Sequence, residues 1–154
     1  MSDTCGAEIT DGGSCNDVRD VGVPVMPTCL TGDVPAGSGG TIEDGTYVLV
    51  AQTYYNVPRC PTSQVTATVL ISGGCFQLVG HSVGGNHERE LRGSMRVTTK
   101  GTRVVEDATC VPPGGRSDAP RKTFTAVGSK LMMFTANAGT DSSNPDRVEV
   151  LERR

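Results

Sequence analysis

The chain has 154 residues, six cysteines, 20 glycines, nine prolines, no tryptophan and a net charge of −3. That is one domain's length, and no apolar run approaches the roughly 18 residues a membrane-spanning helix needs. Fourteen basic residues against 17 acidic ones leave no nucleic-acid footprint, and no stretch sustains the 3.6-residue period of a helical bundle.

Residues 1–45 are poor in large apolar side chains and rich in Gly, Asp, Ser, Thr and Pro. The one dense apolar patch is Val21-Gly-Val-Pro-Val-Met26, and Pro35-Ala-Gly-Ser-Gly-Gly40 has linker composition. Such a segment cannot bury a core of its own, so it reads as an irregular N-terminal arm. Cys5, Cys15 and Cys29 lie in it and would pin it covalently to the remainder. Six cysteines with no CxxC pair point to disulfides and an oxidising compartment, not to a zinc ribbon or a thioredoxin-type motif. The expected location is therefore secreted, periplasmic or cell-surface. Residues 1–20 lack the basic and apolar regions of an export signal, which is expected to have been removed. A lipid anchor on Cys5 is the alternative, at the cost of an odd five remaining thiols.

From residue 46 to 154 the pattern becomes that of a β domain. Tyr47-Val-Leu-Val-Ala-Gln-Thr-Tyr-Tyr55 is rich in β-branched and aromatic residues. A strand, a short Gly-containing turn and a second strand then recur three times, around Ser72-Gly-Gly74, Thr99-Lys-Gly101 and Val127-Gly128. The predicted strands are 47–55, 64–71, 75–82, 88–98, 102–108, 121–126, 129–136 and 146–152, with long loops at 56–63, 83–87, 109–120 and 137–145. Tight turns alternating with long loops define an up-and-down antiparallel meander, and eight strands suffice to close a barrel. Alternation puts Phe76 and Leu78 with Gly80 on one face, and Leu91, Met95 and Val97 on another. The strand 129–136 is apolar on both faces, so both must be covered, one of them by the arm. If chain ends map simply onto barrel ends, Cys60 and Cys110 meet at the long-loop end, leaving Cys5–Cys15 and Cys29–Cys75.

The run Gly39-Gly-Thr-Ile-Glu-Asp-Gly-Thr-Tyr-Val-Leu49, with Tyr54-Tyr55 after it and the hairpin Val69-Leu-Ile-Ser-Gly-Gly-Cys-Phe-Gln-Leu78, resembles a group of exported Gly/Thr-rich proteins and lipoproteins of myxobacteria. The resemblance spans roughly residues 39–152. It implies export and a small lipocalin-like barrel, and it carries no activity and no catalytic residues.

Candidate ligand-binding residues are Tyr47, Tyr54, Tyr55, Phe76, His81, His87 and Arg116. Tyr54 and Tyr55 are neighbours on one strand and point to opposite faces, so one of them lines the barrel. His81 and His87 flank a loop and, with Glu88 or Glu90, could approach as metal ligands, although their spacing matches no zinc motif. The plainer reading of that cluster is a solvated charged face. Arg116, Arg121 and Lys122 cluster at the long loops, where a solvated loop is the plainer reading and a modest basic patch for an anionic partner the alternative. No GxSxG elbow is present, and the adjacent Glu106 and Asp107 point apart, so no catalytic residues, cofactor or metal are expected. With six aromatic residues in all, the interior is expected to be filled by Val, Leu, Met and Thr, with a ligand cavity as the alternative. The expected function is that of an exported, monomeric, non-catalytic binding protein. It would take a small apolar ligand or a macromolecular partner at the long-loop end. An inhibitor or interaction protein acting through the arm, and a metal protein or enzyme using His81 and His87, are the alternatives.

Overall fold

The computed structural model describes residues 5, 15–84, 87–110, 121–136 and 145–154. Two short strands, β1 (Thr28–Leu30) and β2 (Gly39–Gly40), precede eight long ones. These are β3 (Gly45–Tyr55), β4 (Gln64–Ser72), β5 (Cys75–Gly84), β6 (His87–Lys100), β7 (Arg103–Cys110), β8 (Arg121–Val127), β9 (Lys130–Ala136) and β10 (Arg147–Arg153). Each long strand pairs antiparallel with the next, and β10 returns to β3, so the sheet closes into an eight-stranded barrel. All eight predicted strands are present. The tight turns carry Gly73, Gly101 and Gly128 at φ of 56°, 60° and 59°, the left-handed conformation that glycine adopts without a steric penalty.

The lower half of the barrel, toward the tight turns, is a packed apolar core. Phe124, Leu49 and Leu131 are its largest fully buried side chains, each worth about 1.5–3 kcal/mol of burial. Phe76, Ile71 and Tyr47 fill the space around them. Tyr47 donates its hydroxyl to the Glu43 carbonyl at 2.7 Å, which ties the closed end to the residues leading into β3.

The arm is a belt wound around this barrel. Residues 15–25 cross the outer face of β6, β5 and β4, where small outward side chains let the backbone approach. Thr68 and Val79 there are 0% exposed and Ser94 is 1% exposed. Asn16 donates to the carbonyls of Leu78 and Gly93 at 3.1 and 2.9 Å, and the Val21 amide donates to Thr68 Oγ1 at 2.9 Å. Beyond the short β3–β4 ladder the two strands part, and the arm fills the gap. Val25 bridges Val65 on one side, and β1 runs parallel to β3 on the other. On the outer face Val148 of β10 and Phe134 of β9 are 8% and 7% exposed, and beyond β1 the chain reaches the outer face of β8. There Gly37 and Ser38 donate to the hydroxyls of Thr123 and Thr125, both at 2.8 Å. A Cβ on Gly37 would lie 2.2 Å from the Phe124 carbonyl oxygen, so only glycine permits this approach. β2 then pairs with β8 beside the two-residue β7–β8 ladder.

All six cysteines are paired, and each bridge joins one arm cysteine to one barrel cysteine: Cys5–Cys75, Cys15–Cys110 and Cys29–Cys60. The expected pairings Cys60–Cys110, Cys5–Cys15 and Cys29–Cys75 are all wrong. The reason is stagger. β6 runs seven residues past the last β7 pair, Ser94 with Cys110, or about 23 Å of strand. Cys110 therefore sits part-way down the barrel wall under the arm, and Cys60 remains at the rim beside Cys29. The Cys5 bridge also leaves no thiol there for a lipid. Three disulfides suit an oxidising environment. Among the described residues, no helix is long and apolar enough to cross a membrane.

Candidate functional site

A β-bulge decides what the upper half of the barrel presents to its interior. Val150 pairs with Ala51 but Leu151 pairs with Leu49, so Val50 is the extra residue on β3. Below it Tyr47 and Leu49 face inward. Above it the parity flips, and Gln52 and Tyr54 take the inner face beside Glu149 and Arg147.

Five adjacent strands now contribute polar inward side chains to one wall: Glu106 from β7, Lys122 from β8, Thr135 from β9, Arg147 and Glu149 from β10, and Gln52 and Tyr54 from β3. Lys122 Nζ donates to both oxygens of Glu106, at 2.9 and 3.2 Å. Arg147 Nε donates to Glu149 Oε1 at 3.0 Å, and Gln52 Nε2 donates to Glu149 Oε2 at 3.3 Å. Burial pushes the Glu149 carboxyl up, but the charges of Arg147 and Lys122 and the hydrogen bonds from Arg147 and Gln52 outweigh it and hold the group below the ordinary carboxylate range. The Tyr54 hydroxyl is pushed above its ordinary value, first by burial and then by the charge of Glu149. The Glu149 side chain keeps 27% of its area accessible, so solvent reaches the space in front of this wall, the cup. Gln52 Oε1 and Thr135 Oγ1 are buried and have no hydrogen-bond partner among the described residues. Their residues are 8% and 0% exposed. Met133, level with Glu149, forms the apolar floor. On the opposite wall Ala67 faces Gly80, and the next inward level toward the mouth carries Val65, Ser82 and Arg89. Leu91, in phase with Met95 and Val97, sits 52% exposed at the rim where β6 outruns β7.

The candidate residues fall into separate places. Tyr54 lines the cup. Tyr55 pairs with Leu30 of the arm and lies in the opposite phase. Tyr47 and Phe76 belong to the packed lower core, away from the mouth. Lys122, expected in a solvated cluster at the long loops, points inward to Glu106, because it is in phase with Phe124 and Ala126 on β8. Arg116 lies outside the described residues. His87 pairs with Gly84 through the backbone, and its side chain is likewise outside the described set. The charged wall itself went unseen in the sequence. Its signal was there, since Lys122, Glu106 and Glu149 each share strand parity with the core residues Phe124, Val104 and Leu151.

His81 lies outside the barrel and serves the arm. Its Nδ1 is 2.6 Å from Asp20 and its Nε2 is 2.9 Å from Glu90, so both ring nitrogens are engaged by carboxylates. Glu90 in turn accepts from Arg92 at 2.6 Å, and Arg92 donates to the Val18 carbonyl at 2.6 Å. Among the described residues no three His, Cys, Asp or Glu side chains form a metal-binding group. Hydrogen bonds to Asp20 and then Glu90 raise the His81 pKa above its ordinary value. Burial alone would raise the Asp20 pKa, but hydrogen bonds from Thr66, His81, Gly22 and Thr68 hold it low. Bonds from Arg92 and His81 lower Glu90.

The sign of the pH dependence follows. The His81 contribution is complete below its unfolded value near 6.5 and is lost as pH rises through its raised folded value. The Asp20 and Glu90 contributions are complete above unfolded values near 3.8 and 4.5 and are lost as pH falls through the lowered folded ones. The network therefore stabilises most between about pH 4.5 and 6.5. His81→Gln should cost up to about 1 kcal/mol there and should flatten the decline above it. Urea unfolding across the pH series reads this, and a variant with the wild-type pH profile contradicts it.

The chain matches no known protein-family model and no curated protein.

Proposed function

We propose that this is an exported, non-catalytic binding protein that takes a small ligand into the cup at the long-loop end of the barrel. The observation that carries the reading is the inward wall with its two buried, unpartnered polar atoms, Gln52 Oε1 and Thr135 Oγ1. A barrel built only for stability has no use for charges in phase with its core, since desolvating them costs more than apolar packing returns. Local rules broken this way gather at functional sites. The ligand's apolar body would rest on Met133 and on the opposite wall at Ala67 and Gly80, and its polar end would meet Gln52, Thr135 and Tyr54. The three disulfides and the likeness to exported Gly/Thr-rich proteins support export. The arm's winding favours the mouth over the arm as the binding surface, because the arm residues described from 15 onward are bonded along the barrel.

Gly80→Leu tests the reading. A Cβ there meets nothing closer than 3.5 Å, so the backbone accepts a side chain, and Gly80 shares the inward phase of Phe76 and Leu78, which directs that side chain into the cup. Native mass spectrometry of exported protein should show a small-molecule adduct on the wild type and none on the variant. A wild type at its bare mass, or an adduct that survives Gly80→Leu, overturns the proposal.

A further inference from the structure

We infer that the ligand's head group is uncharged and carries an N–H or O–H donor, as a primary carboxamide or an alcohol does, on an apolar chain. The inference rests on the cup being a ligand site and specifies its chemistry. Among the described residues, the four charges of the wall include two ion pairs, Glu106 with Lys122 and Glu149 with Arg147. They leave two positive and two negative groups in balance. An anionic head group has no donor to offer Gln52 Oε1, and a cationic one would have to break one of these pairs or enter past Arg89, which is in the inward phase at the mouth, and either is costly. The groups left wanting a partner are neutral. Gln52 Oε1 is an acceptor only, so it calls for a donor, and Thr135 Oγ1 both donates and accepts. A carboxamide supplies two donors and an acceptor, and an alcohol supplies one donor and two acceptors. Level with Gln52 across β10, Met133, 7% exposed, offers apolar contact.

The test is calorimetric titration of the oxidised full chain with four eight-carbon probes: n-octanamide, n-octanol, n-octylammonium and n-octanoate. The amide should bind tightest and the alcohol next, with both charged probes at least about tenfold weaker, a difference of about 1.4 kcal/mol. Thr135→Val, close to isosteric, should weaken the amide about fivefold to tenfold. Gln52→Leu should weaken it further. A charged probe that binds as tightly as the amide overturns the head-group assignment while leaving the cup in place. So does an amide affinity unchanged in both variants. If none of the four probes binds, the cup reading itself fails, and the inference falls with it.

Discussion

Phe124→Ala should lower the free energy of unfolding by about 3–5 kcal/mol. This is the largest single-residue effect expected in the barrel. The side chain is 0% exposed and central to the lower core, and its backbone is overlaid by Gly37 of the arm. Neither side can collapse into the void: β8 is hydrogen-bonded to β9 along its length and flanked by β2, and the arm is held by its bridges. Because Phe124 lies one inward step below Lys122 on β8, the void would open under the charged wall. The variant should therefore lose ligand binding as well as stability. Denaturant unfolding reads the first effect, and a loss below about 1.5 kcal/mol would mean that the core relaxes freely, contrary to the tight packing described.

Removing the Cys15–Cys110 bridge, by Ala at both positions, should cost about 4 kcal/mol. The bridge closes 95 residues of sequence. With Cys5–Cys75 intact, the shortest path between its ends is about half as long, and the logarithmic dependence makes that a small discount. The structural consequence is local and specific. Cys110 fixes the upper end of β7, where Thr109 is the extra residue of a bulge beside Ser94 and bonds the Cys5 carbonyl. Freeing it should loosen the arm over β6 before the lower core gives way. Hydrogen exchange should then show early loss of protection at Val18 and Val21, whose amides bond Asn16 and Thr68, with Phe124 protected until global unfolding. Simultaneous loss at all three would contradict a belt that stiffens the barrel from outside.

The eight long strands were legible because their signals are local. Gly sits at the hairpin turns and β-branched residues alternate between them, and both survive any arrangement in space. The faces were legible where alternation runs unbroken, as for Phe76 with Leu78 and for Phe124 with Ala126. They were not legible on β3, where Val50 is inserted and Tyr54 changes sides relative to Tyr47, since a one-residue bulge leaves no mark in composition. The disulfides failed for a related reason. Their pairing depends on the stagger of β6 against β7, a property of the closed sheet that no strand carries alone. β1 and β2, of three and two residues, are too short to show a period and exist because gaps in the barrel wall receive them. The polar wall was half legible, because charges in phase with a core face were on the page for β7, β8 and β10.

The central claim is that ligand enters the upper barrel and not the arm or the outer wall. Carbon-13 labelling of the methionine methyl groups tests it in one spectrum during titration with n-octanamide. Met133 lies on the cup floor level with Glu149, whereas Met26 lies on the arm and is 51% exposed. The Met133 methyl should shift progressively to saturation while Met26 stays in place. Movement of Met26 with an unmoved Met133 would put the binding surface on the arm and contradict the account.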